Sequence, residues 1–458
     1  MAIAEFKPSI SEKIPRPIYA KKPSGQLLKY RHWFGYSLLA IFLIMPFIKV
    51  NGEQFLLFNI IERKFVIFGT VFWPQDLHIF VFGMLIFMVF IVLFTVVYGR
   101  VWCGWACPQT VFMELVFRKI EYWIEGDANQ QRKLDNGPNS SNKILKKTTK
   151  HVIFLAISFI ISNLFLSYVI GVDQLYQIIT EPVSQHIGGF LSLIVFTLLF
   201  YGVFAYVREI VCTHICPYGR LQGVLLDDQS LVVAYNYQRG EPRGHIKKSS
   251  ENQLLGDCID CNLCVQVCPT GIDIRDGLQL ECINCTACID ACDSVMEKIN
   301  RPPKLIGFYS SKQIDENTKE KNTSRIIAYS IVLALLLVVF GWLIFSRSTV
   351  GGTLLRAKGT SYQINTDGTV SNLYNLELIN KSGDELPFKL EPENTDFILK
   401  MVNSRDVLKK GETAQFSFFL IGKSKDIADY KTNIKVNVIS EGKKLETLKT
   451  TFISPPSK

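Results

Sequence analysis

The sequence predicts a multi-domain membrane protein: an α-helical transmembrane bundle of about five spans, a cysteine-rich soluble segment, and a C-terminal β-sandwich. Three observations predict it. Five apolar stretches approach the roughly 20 residues that cross a bilayer core. Eight of the 12 Cys fall between residues 258 and 292, and beyond residue 347 the pattern turns to short alternating runs without Cys. The 458 residues carry 50 Lys and Arg against 41 Asp and Glu, a net charge of +9 that is too dilute for a nucleic-acid binder. With 48% hydrophobic residues and a mean hydropathy of +0.19, a disordered chain is excluded.

Taken in order, residues 1–32 form a polar lead with seven basic residues, Lys7, Lys13, Arg16, Lys21, Lys22, Lys29 and Arg31, too long for a cleavable signal peptide. A four-span membrane domain follows over 33–207, with spans at 33–50, 77–98, 152–172 and 188–207 and a loop at 99–151. The first span is short and carries Pro46. A second soluble segment covers 208–325, a fifth span 326–345, and the β domain 346–458. The N-terminal segment and the 99–151 loop are rich in Lys and Arg, whereas 51–76 has only Arg63 and Lys64 and 173–187 has none. The positive-inside rule therefore places residues 1–32, 99–151 and 208–325 in the cytoplasm and the C-terminal domain outside. Every Cys then lies on the reducing side. Residues 111–125 have helical periodicity and fit either an interfacial helix or one packed on protein. The polar tract 126–150 reads as a solvated linker.

The strongest chemical signal is Cys258-x2-Cys261-x2-Cys264-x3-Cys268-Pro269 followed by Cys282-x2-Cys285-x2-Cys288-x3-Cys292. This is the bacterial two-cluster spacing, in which three close thiolates and one distant one hold each cubane. It predicts a 2[4Fe-4S] ferredoxin-like domain at about 250–300, with Cys258, Cys261, Cys264 and Cys292 on one cluster and Cys282, Cys285, Cys288 and Cys268 on the other. Structural zinc uses two pairs of thiolates rather than two runs of four. The tract is acidic, with Asp257, Asp260, Asp273, Asp276, Glu281, Asp290, Asp293 and Glu297 against Arg275 and Lys298, which predicts low reduction potentials.

The other four Cys form two like motifs, Arg100-Val-Trp-Cys103-Gly-Trp-Ala-Cys107-Pro108 after the second span and Arg208-Glu-Ile-Val-Cys212-Thr-His214-Ile-Cys216-Pro217 after the fourth. Residues four apart share a helical face, so each motif presents two sulfurs together. If the two units pack as a pseudo-twofold pair, Cys103, Cys107, Cys212 and Cys216 converge at one membrane face as a catalytic or soft-metal group, with His214 as a further ligand or proton donor. The plainer alternative is buried, inert thiols. His78 and His186, near the outer ends of two spans, and the Met84 and Met88 pair are weaker candidates for haem and copper, and ordinary packing suits them better. No phosphate loop, GxSxG or HExxH is present.

In the β region, residues 376–378, 397–399, 415–421 and 434–439 alternate as strands, and about 100 such residues fit an immunoglobulin-like β-sandwich. With the paired Cys-x3-Cys-Pro motifs, the eight-Cys tract, the fifth span and this domain in order, the whole chain resembles the FixG/CcoG family of cytochrome c oxidase accessory proteins. The stretch CIDCNLCVQVCPTGIDIRDGLQLECINCTACIDACD looks especially similar, including the Asp after the last Cys.

The resemblance implies a multi-pass protein of the bacterial inner membrane that serves assembly of the cbb3-type oxidase, binds two [4Fe-4S] clusters, and reduces Cu(II) to Cu(I) for the haem-copper centre. It implies copper as substrate or transient ligand at the membrane-face motifs. Its partners would be oxidase-assembly or copper-delivery proteins and a cytoplasmic electron donor, with a homodimer also allowed. Two other readings stay open. One is a membrane subunit resembling quinol-dehydrogenase ferredoxins, which the fifth span and outer domain fit less well; the other is a redox-sensing assembly scaffold.

Overall fold

The structure, a computed structural model, describes residues 18–50, 52–62, 64–73, 76–245, 255–316, 323–346, 348–357, 359, 361–382, 385–402, 405–423 and 430–455. Lys7, Lys13, Arg16 and Arg63 of the charge argument lie outside the described residues. The chain divides into two units, one of residues 1–48 and 82–338 and one of residues 49–81 and 339–458.

Among the described residues four helices are long and apolar enough to cross a membrane: His78–Tyr98, Ser141–Ile170, Ile187–Val207 and Ile326–Phe345. The expected span at 33–50 is instead a 19-residue helix, Gln26–Ile44, which begins seven residues earlier and carries Lys29, Arg31 and His32 in its first two turns. It stops where Pro46 enters a 3-10 turn, Met45–Phe47. The third span also begins early. Residues 126–150, expected as a linker, fold as helix Ala128–Asn136 and the first turns of Ser141–Ile170. Local caps explain this: Asp127 and Gln130 make a reciprocal capping box, and the Ser140 hydroxyl accepts the Lys143 N–H.

Residues 111–125 take the protein-packed alternative. Val111, Phe112, Met113, Leu115 and Phe117 are buried, Phe117 stacking on Phe204 at 4.7 Å. The charges at the far end of this stretch are buried too. Arg208 grips Glu121 through both oxygens, at 2.5 and 2.8 Å, Arg118 pairs with Glu209 and with Glu114, and Lys150 reaches Glu125 at 2.9 Å.

In the dicluster segment, strands Val232–Tyr235 and Ile306–Tyr309 pair antiparallel and close the chain around two short helices, Leu263–Gln266 and Ala287–Lys298. Asp290 on the latter accepts the N–H groups of Leu27 and Leu28, at 3.2 and 2.8 Å, and so caps Gln26–Ile44 from a distant part of the chain.

The second unit holds a β-sandwich. One sheet orders Phe397–Met401, Thr413–Lys423, Thr369–Asn380 and Val350–Arg356, with Gln363–Ile364 on its flank; the other orders Lys389–Pro392, Lys431–Ser440 and Lys443–Ile453. Period-two residues make its core: Tyr374, Leu376 and Leu378 against Phe416, Phe418 and Leu420, and Ile434, Val436 and Val438 from the other sheet. Two edge strands, Val350–Arg356 and Lys443–Ile453, escape a reading by alternation because Gly351, Gly352 and a run of Lys and Thr dilute it. Within this unit Lys381 reaches Asp76 at 2.6 Å with both side chains 4% exposed, which ties the 49–81 segment to the sandwich.

Candidate redox site

The two Cys runs fold as copies of one loop. In Cys258-Ile-Asp-Cys-Asn-Leu-Cys264 the third and fifth residues, Asp260 and Asn262, have φ of 53° and 57°; in Cys282-Ile-Asn-Cys-Thr-Ala-Cys288 the counterparts Asn284 and Thr286 have 51° and 66°. Left-handed residues set between right-handed ones turn successive N–H groups to one side, the concavity that holds anionic groups. Each loop shapes one buried cavity. The first is lined by Cys258, Cys261, Cys264 and Cys292 beneath Tyr235, Met296 and Ile306. The second is lined by Cys268, Cys282, Cys285 and Cys288 with Ile272, Ile274 and Ile283, and Cys264 borders both. The structure thus brings together the two predicted sets of four. All-thiol donors in apolar walls fit a [4Fe-4S] cluster, whose chemistry there is one-electron transfer. Among the described residues no three His, Cys, Asp or Glu side chains close on a single-ion position.

The membrane-face motifs are also copies of each other, though not of the form expected. Cys103 and Cys107 do not share a helical face: Cys103 lies in helix Val101–Trp105, while Cys107 stands extended at the N-cap of Pro108–Phe112. Likewise Cys212 lies in the π-turn Val211–Ile215, and Cys216 stands extended before helix Pro217–Leu225. In both, the second Cys N–H bonds the carbonyl five residues back, Cys107 to Trp102 at 2.9 Å and Cys216 to Val211 at 2.7 Å. Proline sets this geometry, because it forces the preceding Cys out of the helical region and then starts the next helix.

The four thiols lie close enough for Cys103 to feel the charge of the other three. Burial pushes Cys103 and Cys212 up to about 12, so both are thiols at neutral pH. Burial also raises Cys107, and the N–H groups of Gln109 and Thr110 at the next helix's first turn oppose it. Cys103 Sγ donates to Gln222 Oε1 at 3.1 Å. His214 is engaged beside this group, its Nδ1 2.6 Å from Thr213 Oγ1. His186 pairs with Glu181 at 2.6 Å, and Met84 and Met88 stand exposed along their span.

The thiol group and the second cluster loop meet directly. A Cβ on Gly104 would stand 2.5 Å from the Ile283 carbonyl and 2.9 Å from Cys285 Cα, so only glycine admits this approach. Cys103 and Cys212 pack on the buried cluster that contains Cys285 and Ile283. Two buried arginines brace the junction. Arg31 Nε donates to the Gly104 carbonyl at 2.8 Å and its charge acts on Cys285. Arg100 donates to the carbonyls of Leu280 and Gly219, and its charge acts on Cys103 and Cys282.

Sequence reasoning counted Arg31 only toward orientation and quoted Arg100 only as the start of its Cys motif. The signal was an Arg ahead of each Cys motif, Arg100 and Arg208. They also weaken the expectation of uniformly low potentials. Four of the eight acids are spent on structure, Asp257 on Arg239 and Arg301, Asp260 and Asp273 on Arg275, and Asp290 on the cap, while buried positive charge adjoins the second site.

Family models match all three regions. A 4Fe-4S binding domain covers residues 80–126, a 4Fe-4S dicluster domain 207–311, and the Ig-like fold at the C-terminus of FixG 340–455. The chain is 34% identical over 422 residues to "Nitrogen fixation protein FixG" of Rhizobium meliloti, covering 82% of this chain and 79% of that one. This chain belongs to the FixG family. "Protein RdxB" of Cereibacter sphaeroides is likewise 34% identical over 392 residues, covering 82% of this chain and 81% of its own. A crystal structure of a FixG-related protein from Vibrio parahaemolyticus matches 24% of this chain and 98% of its own at 17% identity and a TM-score of 0.21. This FixG-family chain is a membrane iron–sulfur electron-transport protein with an Ig-like domain.

Proposed function

We propose that this protein reduces Cu(II) to Cu(I) during biogenesis of a cbb3-type cytochrome c oxidase. The carrying observation is the contact of the Cys103-Gly104 turn with Cys285, which sets Cys103 and Cys212 against the second cluster loop. Each cluster, when bound, supplies one electron; Cu(II) gains it, and thiol donors favour the Cu(I) produced. Cys258, Cys261, Cys264 and Cys292 hold one cluster and Cys268, Cys282, Cys285 and Cys288 the other. Cys103, Cys107, Cys212 and Cys216 receive the copper. The iron–sulfur segment faces the cytoplasm and the Ig-like domain the periplasm, where it meets assembly or copper-delivery partners. Packing of the 49–81 segment with the sandwich as one unit supports a shared side for those two.

The test is to reduce the purified holoprotein anaerobically, add Cu(II), and follow cluster absorbance together with Cu(I) captured by a chromogenic chelator. Cluster reoxidation matched by stoichiometric Cu(I) is expected. Clusters that stay reduced overturn the proposal.

A further inference from the structure

Between the first helix and the span His78–Tyr98, strands Leu56–Asn59, Lys64–Ile67 and Thr70–Phe72 form a small meander. Its first turn carries Ile60 and Ile61, 68% and 80% exposed. We propose that this turn is a lipid anchor, with both isoleucines seated in the acyl-chain boundary of the bilayer beside that span.

The turn is built unlike one that faces water. Tight turns between strands are normally made from Gly, Asn, Asp or Ser, which tolerate the backbone and keep polar groups solvated. Here two adjacent β-branched apolar residues hold the centre, and neither closes the turn. Asn59, 2% exposed, does that: its side-chain carbonyl accepts the Glu62 N–H at 2.9 Å, and its amide donates to the Glu62 carboxylate at 3.1 Å. The isoleucines therefore project from a turn that polar groups already hold shut. At the other turn of the same sheet Phe68, also exposed, at least rests its ring edge-on against Phe55 at 5.4 Å.

Position names the occupant. In the third strand Thr70 pairs with Ile67 and Phe72 with Phe65, so this strand runs toward the end of the sheet that carries Ile60 and Ile61. The span begins at His78, six residues after Phe72, and so leaves from that end rather than from the end with Phe68. A side-chain contact fixes the same place: Phe65 stacks on Phe80, the third residue of the span, at 5.4 Å. Phe58 lies opposite Phe65 and Asn59 opposite Lys64, so the isoleucines stand two to three residues past that stack, a reach of roughly 7–10 Å. Apolar groups of interfacial segments sink about 5–10 Å into the headgroup and acyl boundary. The turn thus lies within reach of lipid that already surrounds the span, and a soluble partner would have to displace that lipid to cover it. Since Lys381 binds Asp76, an anchored turn also holds the sandwich unit to the bilayer.

The experiment uses the full chain in phosphatidylcholine liposomes doped with a phosphatidylcholine that bears a diazirine near the carboxyl end of one acyl chain. After photolysis, adducts are placed by tandem mass spectrometry, with the span His78–Tyr98 as the internal standard for lipid contact. Adducts are expected on Ile60 and Ile61, and about tenfold fewer on Phe68. Ile60→Ser combined with Ile61→Ser is expected to cut the turn adducts about tenfold and to leave the melting temperature unchanged, because Asn59 and Glu62 still close the turn. Should the double variant fold poorly, the map of the native chain decides. A labelled span beside an unlabelled isoleucine turn overturns the proposal, whether water or protein covers the turn. Equal labelling of Phe68 overturns it too, since the sheet would then lie flat on the bilayer, and so do turn adducts undiminished in a folded double variant.

Discussion

Gly104 is the residue through which the thiol motif and the cluster loop approach each other. Adding one methyl there pushes against backbone rather than a flexible side chain, so Gly104→Ala should cost about 1–3 kcal/mol. The expected signature is a lowered melting temperature with full cluster absorbance and slower cluster reoxidation by Cu(II). An unchanged melting curve would show that the two loops have slack. Arg31, 4% exposed, makes a second residue-scale case. Its charge stabilises added negative charge near Cys285, so Arg31→Gln should lower the midpoint of the second cluster and leave the first nearly unmoved in an EPR-monitored redox titration. Equal shifts in both would mean that the substitution acts through general loosening instead. The grouping of eight Cys around two cavities was legible in the sequence because spacing alone encodes it. Gly104 and Arg31 were not, since their importance arises from contacts between distant segments, Arg31 with Gly104 73 positions on, and Gly104 with Ile283 and Cys285 179 and 181 positions on.

At the scale of elements, the end of the membrane bundle is held by buried charge. Burial alone would raise Glu121, but the Arg208 guanidinium on both its oxygens, with Lys150 and Arg118 nearby, holds it below the usual carboxylate range. A carboxylate depressed in the fold contributes stability that is present above its unfolded value, about pH 4.5, and is lost as pH falls through the folded one. Thermal stability should therefore drop on acidification below that value, and Glu121→Gln should flatten this acid limb while lowering stability at neutral pH. A limb of unchanged steepness in the variant would assign the acid loss to other carboxylates. In the sandwich unit, Lys381→Met removes the buried cation that meets Asp76 at 2.6 Å, which should cost about 1–3 kcal/mol and show as a matching fall in the unit's denaturation midpoint. Hydropathy placed four spans within a few residues of their apolar limits, and alternation found the three inner strands and the edge strand Phe397–Met401. The helices of 126–150 went unread because caps and ion pairs, not an apolar stripe, stabilise them: Lys147 bridges Glu125 and Asp135 at 2.9 and 2.6 Å.

For the whole molecule, the open question is whether Gln26–Ile44 crosses the membrane, since composition alone leaves it out of the set of spans. Its two ends answer differently from its hydropathy. The N-terminus is capped by Asp290 of the dicluster segment, and the C-terminus leads through Pro46 into the 49–81 segment, which packs with the sandwich. The dicluster segment and the sandwich are themselves separated in sequence by the span Ile326–Phe345. A helix of 19 residues is roughly 28 Å long, enough for a bilayer core of about 30 Å, and Lys29 and Arg31 fall in the end nearest the dicluster segment, where the positive-inside rule wants them. Five crossings put the two termini on opposite sides; four put them on the same side. Protease-cleavable tags at each terminus, probed in intact spheroplasts and again after lysis, decide it. The C-terminal tag should be cut in intact cells and the N-terminal tag only after lysis. Cleavage of both in intact cells would remove the first crossing and, with it, the assignment of the cap at Asp290 to the same side as the N-terminus.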